Sequence, residues 1–503
     1  MSLPDPARTP VIVGIGEIRD RPADLAQGLE PLALMEAALR GAEQDAGAPL
    51  LAELDSLDVV NLVSWRYRDP AGELARRLGV APRRAVYGPV GGESPVRFLH
   101  EAALRIARGE STVAAVAGAE AQWTASRAEK AGVTLPWTPF AHEAPAPVRG
   151  ARFQHPMAVK LGVARPMTAY PFYEAASASA FGQTPRQAQA ESAALWARYA
   201  AVAAQNPFAW IPRAVAAETI ASIGPDNRMI AFPYPKLMVA NPMVNQGAAL
   251  LVTSLARARA AGIRDSQLVF LWGGAAANEP RDYLQRDDFT QSPCQEAVLR
   301  TAQDIAGQPF AVLELYSCFP CVPKMARRSL GLGPEVEPTV CGGLTFFGAP
   351  LNSYMTHAAC AMVRRLRALG PGAGPGLLYG QGEYVTKHHA LVLAAAPPAE
   401  ALAPDYSVQA VADAARGPVP PVVTEAAGEA TVETFTVLHG RDGAVEHGVV
   451  ILRLPDGART MARVPAADGA TIAALEDWDR SPIGRRGVVR MGDDGLPVWG
   501  LAE

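Results

Sequence analysis

Over the first 121 residues, short apolar runs alternate with stretches of helical periodicity, and this alternation limits what the chain can fold into. The run "TPVIVGIG" predicts a strand over Val11–Gly14. Leu32, Leu34, Met35, Ala38 and Leu39 predict a helix from about Pro31 to Gly47. A strand near "SLDVVNLV", a helix near Ala71–Leu78 and a strand near "RAVYG" follow. Then "YGPVGGESPVRFLHEAALRIARGE", Tyr87 to Glu110, reads as a glycine-rich turn feeding a helix. Val96, Leu99, Ala103, Ile106 and Ala107 mark one face of that helix. A strand over Thr112–Ala117 closes the series. The order β–α–β–α–β–α–β is the signal of a layered α/β fold.

The same signal returns after residue 240. Strands are expected at "GAALLVTS", "SQLVFLWGG", "FAVLELY", "GLLYG" and "HALVLAAA", and helices at Cys294–Ala306, Pro323–Leu330 and Ser353–Leu369. "FGAPLNSYMTHAACAMVRRL" again sets a glycine turn before a helix, so the two parts read as equivalent halves at the level of pattern. Between them, residues 121–240 are rich in proline and aromatics, with one helix at Pro185–Ala204. They read as a long loop domain laid over the core. The expected divisions are 1–262 (including that loop domain), 263–400, a linker over 401–421 stiffened by Pro418, Pro420 and Pro421, and a β domain over 422–503. In the last, apolar and polar residues alternate, and Arg441-Asp442-Gly443 and Pro455-Asp456-Gly457 give turn signals, which predicts a small barrel.

Composition narrows the classes. A length of 503 residues suggests about three units. With 49% hydrophobic and 19% charged residues, the chain can bury a large core. A net charge of −4 and no long basic block argue against nucleic acid as a partner. The start "MSLPDPARTPVIVGIG" has no basic, apolar leader pattern, and no 18-residue apolar run suggests a membrane span. Five cysteines, an odd number, point to reduced thiols and a cytoplasmic home. Cys318 and Cys321 form a C-x-x-C without a second ligand pair, so no metal is expected. "GIGEIRD" lacks the third glycine and the acidic residue of a dinucleotide turn, so no nucleotide cofactor is expected.

The stretches "PDNRMIAFPYPKLMVANPMVNQGAALLVTS", "ELYSCFPCVP", "CGGLTFFGAPLNSY" and "YGQGEYVTKHHALVL" carry a family signal in combination. Over roughly residues 8–397 the chain resembles the thiolase superfamily. It is most similar to sterol-carrier-protein type thiolases and to type 1 thiolase-like proteins with an added C-terminal domain. The resemblance implies a duplicated five-layer αβαβα fold followed by a small OB-like β barrel, and an acyl or coenzyme A thioester as substrate or ligand. It also implies four loops. The first would supply a nucleophilic cysteine at a helix N-terminus; here the position holds Gly92, beside Glu93. The second, Asn-Glu or His-Asp-Cys-Phe in the family, reads Tyr316-Ser317-Cys318-Phe319. The third, Gly-His-Pro, reads Gly348-Ala349-Pro350, so Ala349 replaces the base. The fourth, Cys-x-Gly, becomes Gly380-Gln381-Gly382 after Tyr379.

Loss of a covalent nucleophile or its base costs roughly a million-fold, ~8 kcal/mol of barrier. The expectation is therefore an acetyl-CoA acetyltransferase-like protein of acyl-CoA and lipid metabolism without thiolase activity. Gly92, Glu93, Ala349 and Gly380 mark its vestigial positions. The candidates for remaining chemistry are Cys318, Tyr316, Tyr379 and His388. Cys318 is expected to open a helix, which would lower its pKa. Two alternatives stay open. One is a divergent enzyme, such as a tyrosine-using retro-aldolase or a Claisen-type acyltransferase. The other is a non-catalytic scaffold whose C-terminal β domain binds a protein partner. Either a monomer or a homodimer is compatible with the sequence.

Overall fold

The computed structural model describes residues 5–502. Its core is one nine-stranded sheet made of two half-sheets. The first half contributes β1 (Pro10–Arg19), β2 (Ser56–Val59), β3 (Arg84–Tyr87), β4 (Val113–Ala121) and β5 (Asn245–Ser254). The second contributes β6 (Val269–Asn278), β7 (Val312–Leu315), β8 (Gly376–Gly382) and β9 (Lys387–Ala394). The spatial order is β3-β2-β4-β5-β1-β6-β9-β8-β7. Read outward from the β1–β6 seam, β1-β5-β4-β2 on one side mirrors β6-β9-β8-β7 on the other, and β3 has no counterpart. At the seam Val11 pairs with Phe270 and Ile12 with Val269.

Four helices explain the layering: α1 (Pro31–Ala46), α2 (Ser94–Arg108), α3 (Pro293–Ala306) and α4 (Tyr354–Leu369). Strand residues alternate between faces. Val11 and Val13 join the cluster that contains Leu34, Met35 and Ala38 of α1, whereas Ile12 and Ile15 join Val96, Leu99 and Met355 of the central helices. Both α2 and α4 touch strands of both half-sheets and each other. They form the middle layer, with α1 and α3 outside, which is the expected thiolase-like α/β core.

The C-terminal strands are β10 (Gly428–His439), β11 (Val445–Arg453), β12 (Arg459–Pro465), β13 (Arg486–Met491) and β14 (Pro497–Leu501). They pair in the order β11-β12-β14-β13-β10, and β10–β11 pairing closes the barrel. A helix, Gly469–Leu475, sits between the third and fourth strands. Both predicted glycine turns are present, with Gly443 and Gly457 at positive φ.

Two stretches differ from their sequence reading. Within residues 121–240, helices also span Gln122–Ala131 and Pro166–Ala180. The second carries Pro171 inside it and is buried on most of its surface, so it shows little amphipathic period. The stretch read as a linker is tied down. Tyr406 O accepts from Ala276 N, Gln409–Ala415 is helical, and Gly417 N donates to Asp287.

The barrel docks through buried polar groups. Thr434 Oγ1 donates to Phe172 O (2.6 Å) and Thr436 Oγ1 to Phe232 O (3.0 Å). Arg459, with no exposed surface, donates to Leu284 O (2.6 Å) and Arg286 O (2.5 Å) and pairs with Glu433 (2.6 Å). Without Arg459 the Leu284 and Arg286 carbonyls lose their donor while Glu433 keeps Arg453, a cost of about 1–3 kcal/mol. Arg459→Ala is therefore expected to lower the urea midpoint by that amount of stability. An unchanged midpoint would show that the barrel does not rely on this contact.

Candidate functional site

The α2 N-terminus is built by enclosure. Because α2 lies between both half-sheets, its first backbone N–H groups face protein rather than water. Asn352, just before α4, crosses from the second half: its Oδ1 accepts from Gly91 N (2.9 Å) and its Nδ2 donates to Asn61 O (3.1 Å). Ser94 Oγ donates to Gly91 O (2.7 Å). The turn is thus held from both halves of the molecule.

Residue 92 lies at its tip. A Cβ at Gly92 would stand 2.2 Å from Tyr316 Oη and 2.5 Å from Gln381 O. The volume that a side chain at position 92 would take is already occupied by the phenol. Tyr316 comes from the turn after β7, where its N–H donates to Tyr379 O (3.1 Å). It is 6% exposed, and burial pushes its pKa well up, so the phenol stays protonated. Its hydroxyl makes no hydrogen bond with another described residue.

Glu93 folds back over the fourth loop. A Cβ at Gly382 would meet Glu93 Oε2 at 1.9 Å, and one at Gly380 would meet Glu93 Cα at 3.1 Å. A side chain at Gly382 would displace the Glu93 carboxyl, and one at Gly380 would crowd the Glu93 backbone. Burial raises the Glu93 pKa, partly offset by Lys387, whose Nζ is 3.9 Å from Oε1. Glu93 Oε2 has no hydrogen-bond partner. Lys387 itself donates to Val90 O (2.8 Å) and pairs with Glu383 (3.3 Å).

Cys318 lies near this group but is not activated. The following helix starts at Cys321, so Cys318 sits before it rather than in its first turn. Its Sγ contacts Gln381 Oε1 at 3.6 Å, and burial pushes the thiol up to about 12. The expected lowering does not occur, because desolvation of the thiolate outweighs any benefit from the helix end. Ala349 is buried; its N–H donates to Asn241 O (2.8 Å).

Tyr379 and His388 form a separate group. Strand parity turns Gly380 and Gly382 toward Glu93 and Tyr379 the other way, toward α3. There Gln295 Nε2 donates to Tyr379 Oη (2.8 Å). His388 Nε2 donates to Val385 O (3.2 Å), so Nδ1 is left to accept from the Tyr379 hydroxyl (2.7 Å). Burial holds the His388 pKa down to about 3, and the ring is neutral. Both residues are internally satisfied. Its neighbour His389 points the opposite way, into the core, and meets His100 of α2 at 3.0 Å.

Of the four candidate residues, then, Tyr316 lies against Gly92, Cys318 lies against the Gln381 side chain, and Tyr379 and His388 bond to each other away from Glu93. Three further residues shape the site. Gln381 accepts from Tyr170 Oη (2.9 Å), and Asn352 fixes the turn. Glu314 on β7 accepts from Thr339 Oγ1 (2.7 Å), Tyr354 Oη (2.7 Å) and Val340 N (3.0 Å), and burial raises it to about 7. Only Gln381 had a signal in the sequence, as the middle residue of Gly380-Gln381-Gly382.

The overlap at residue 92 has a measurable consequence. Gly92→Cys is expected to cost about 1–3 kcal/mol through overpacking against the phenol. Tyr316→Ala in that background should recover part of the loss, so the double-mutant cycle in urea shows a favourable coupling. Strict additivity would mean that the phenol does not fill this space.

Comparison with known proteins bears on the fold and the family. Residues 408–494 match the family model described as the thiolase-like protein type 1 additional C-terminal domain. The chain is similar over 99% of its length to a monomeric SCP2-thiolase-like protein type 1 from Mycobacterium smegmatis, at 29% identity and a TM-score of 0.83, covering 99% of that chain. Two other solved structures share the fold at lower identity. An Ltp2–ChsH2(DUF35) aldolase is 20% identical over 77% of this chain and 98% of its own, with a TM-score of 0.57. Human mitochondrial 3-ketoacyl-CoA thiolase in complex with CoA is 13% identical over 77% and 98%, with a TM-score of 0.56. No curated protein matches the chain. The chain is therefore related to the thiolase (acyltransferase) superfamily, and within it to the SCP2-thiolase-like type 1 proteins that carry the added C-terminal domain.

Proposed function

We propose that this protein serves acyl-CoA or lipid metabolism without carrying out thiolase chemistry. One observation carries the reading: the Tyr316 hydroxyl occupies the space where a nucleophilic side chain at position 92 would project. An acyl-transfer enzyme needs a thiolate or an equivalent nucleophile within reach of the acyl carbonyl. The group nearest to that role, Cys318, is held as a thiol by burial. A coenzyme A thioester or a free acyl group is the proposed ligand, bound without acylation of the protein. The C-terminal barrel is the proposed surface for a protein partner, on a monomer or a homodimer.

A second reading has one observation in its favour. Glu93 Oε2 lacks a hydrogen-bond partner, and the Tyr316 hydroxyl bonds to no other described residue, in a site that is 5–6% exposed at these residues. Such a pair suits a retro-aldol cleavage of a β-hydroxyacyl thioester. Glu93 would take the β-hydroxyl proton, the Cα–Cβ bond would break to a carbonyl compound and an enolate, and Tyr316 would return a proton to Cα. In this form the reaction uses Tyr316 with Glu93, not with Tyr379.

Acetoacetyl-CoA thiolysis separates these possibilities from a true thiolase. The expected result is no turnover above the uncatalysed rate, in both the parent and Cys318→Ala. Turnover that Cys318→Ala abolishes would overturn the proposal. Release of a carbonyl product from a β-hydroxyacyl-CoA that Tyr316→Phe abolishes would establish the second reading in its place.

A further inference from the structure

Away from this site, a cavity of about 680 Å³ opens between the helix Gln122–Ala131, the residues after β1 and the segments 210–213 and 241–243. Two tryptophans form its wall: Trp123 and Trp210 meet edge to face with ring centroids 6.0 Å apart. Each indole carries a guanidinium, with Arg21 4.2 Å from the Trp210 centroid and Arg127 4.3 Å from that of Trp123. Lys130 and Arg213 complete the lining, which contains no Asp or Glu. Among the described residues, none of these four cations forms an ion pair.

Four like charges around one cavity repel one another, and the folded chain does not neutralise them. Partial burial and the neighbouring Arg19 push the Arg21 pKa down, and no acid opposes the shift. Stacking on indole holds a guanidinium plane in place and leaves its N–H edges free. Those edges suit an acceptor with several oxygens, such as a phosphate, which takes two parallel N–H donors from each arginine. A single carboxylate would offset only one of the four charges. The cavity volume lies in the range of small-molecule sites. A membrane surface fits less well, because Trp210 is only 7% exposed.

We propose that this pocket binds a small phosphorylated ligand through a diphosphate-sized anion held by Arg21, Arg127, Lys130 and Arg213. The floor of the pocket is linked to the third loop of the candidate site: Trp210 N donates to Phe347 O (2.6 Å) and Ile211 N to Phe346 O (2.9 Å). Occupancy should therefore change tryptophan fluorescence as well as release heat.

The test is a calorimetric and fluorescence titration of the full chain with inorganic pyrophosphate at low ionic strength. Saturable binding is expected, weakened about tenfold or more by Arg21→Ala/Arg127→Ala, which is about 1.4 kcal/mol or more. Arg213→Glu, a change on the exposed rim, should weaken it too and guards against misfolding of the double variant. Absence of binding, or binding that neither variant alters, would overturn the proposal. So would binding to phosphatidic acid vesicles without any binding of pyrophosphate.

Discussion

Two helices packed between half-sheets set the terms for the rest of this molecule. α2 and α4 lie between two half-sheets and touch both. Their N-terminal ends therefore lie away from water, and each backbone group there must find a partner inside the protein or remain unpaired at a cost. At the α2 N-terminus this is met by Asn352 across the interface and by Ser94 locally. The turn that results is hydrogen-bonded from both halves and carries no side chain at residue 92. The candidate site follows from that: Tyr316 fills the vacant volume from the β7 side, and Glu93 closes over Gly382.

Enclosure also sets the chemistry. Burial shifts Cys318, Tyr316, Glu93 and His388 toward their neutral forms by the same cause, the loss of water around a charge. Cys318 and Tyr316 keep their protons, and the buried His388 loses its own. Glu93 is raised too, with Lys387 only partly opposing burial. A carboxyl raised in this way is more protonated in the folded chain than in the unfolded one. It therefore favours the fold below its folded pKa, and that contribution is lost as pH rises through it. A nucleophilic thiolate needs the opposite environment. The pocket around Trp123 and Trp210 makes the contrast plain, since its arginines and lysine line an opening toward solvent.

Much of this fold was legible in the sequence because strands and helices carry distinct periods. The expected helix from Pro31 appears as Pro31–Ala46, and the one from Cys294 as Pro293–Ala306. The barrel turns at Gly443 and Gly457 followed from their residue types. The helix Pro166–Ala180 was not legible, because it is buried on most sides and interrupted by Pro171. The site was legible only in part. The glycine turn showed in the sequence, and Tyr316 and Cys318 were named through the family resemblance. Which way Tyr379 and His388 face could not, because a period of two gives opposite faces without saying which one is inward. The contact of Tyr316 with residue 92 joins positions more than 200 residues apart, and no local pattern encodes it.

The central claim is that no side chain of this protein can take up an acyl group at the tip of α2. Its most direct test is the intact mass of the chain after incubation with acetyl-CoA, quenched in acid. The account predicts an unmodified mass. A hydroxylamine-labile acetyl adduct mapped to Cys318 would contradict it.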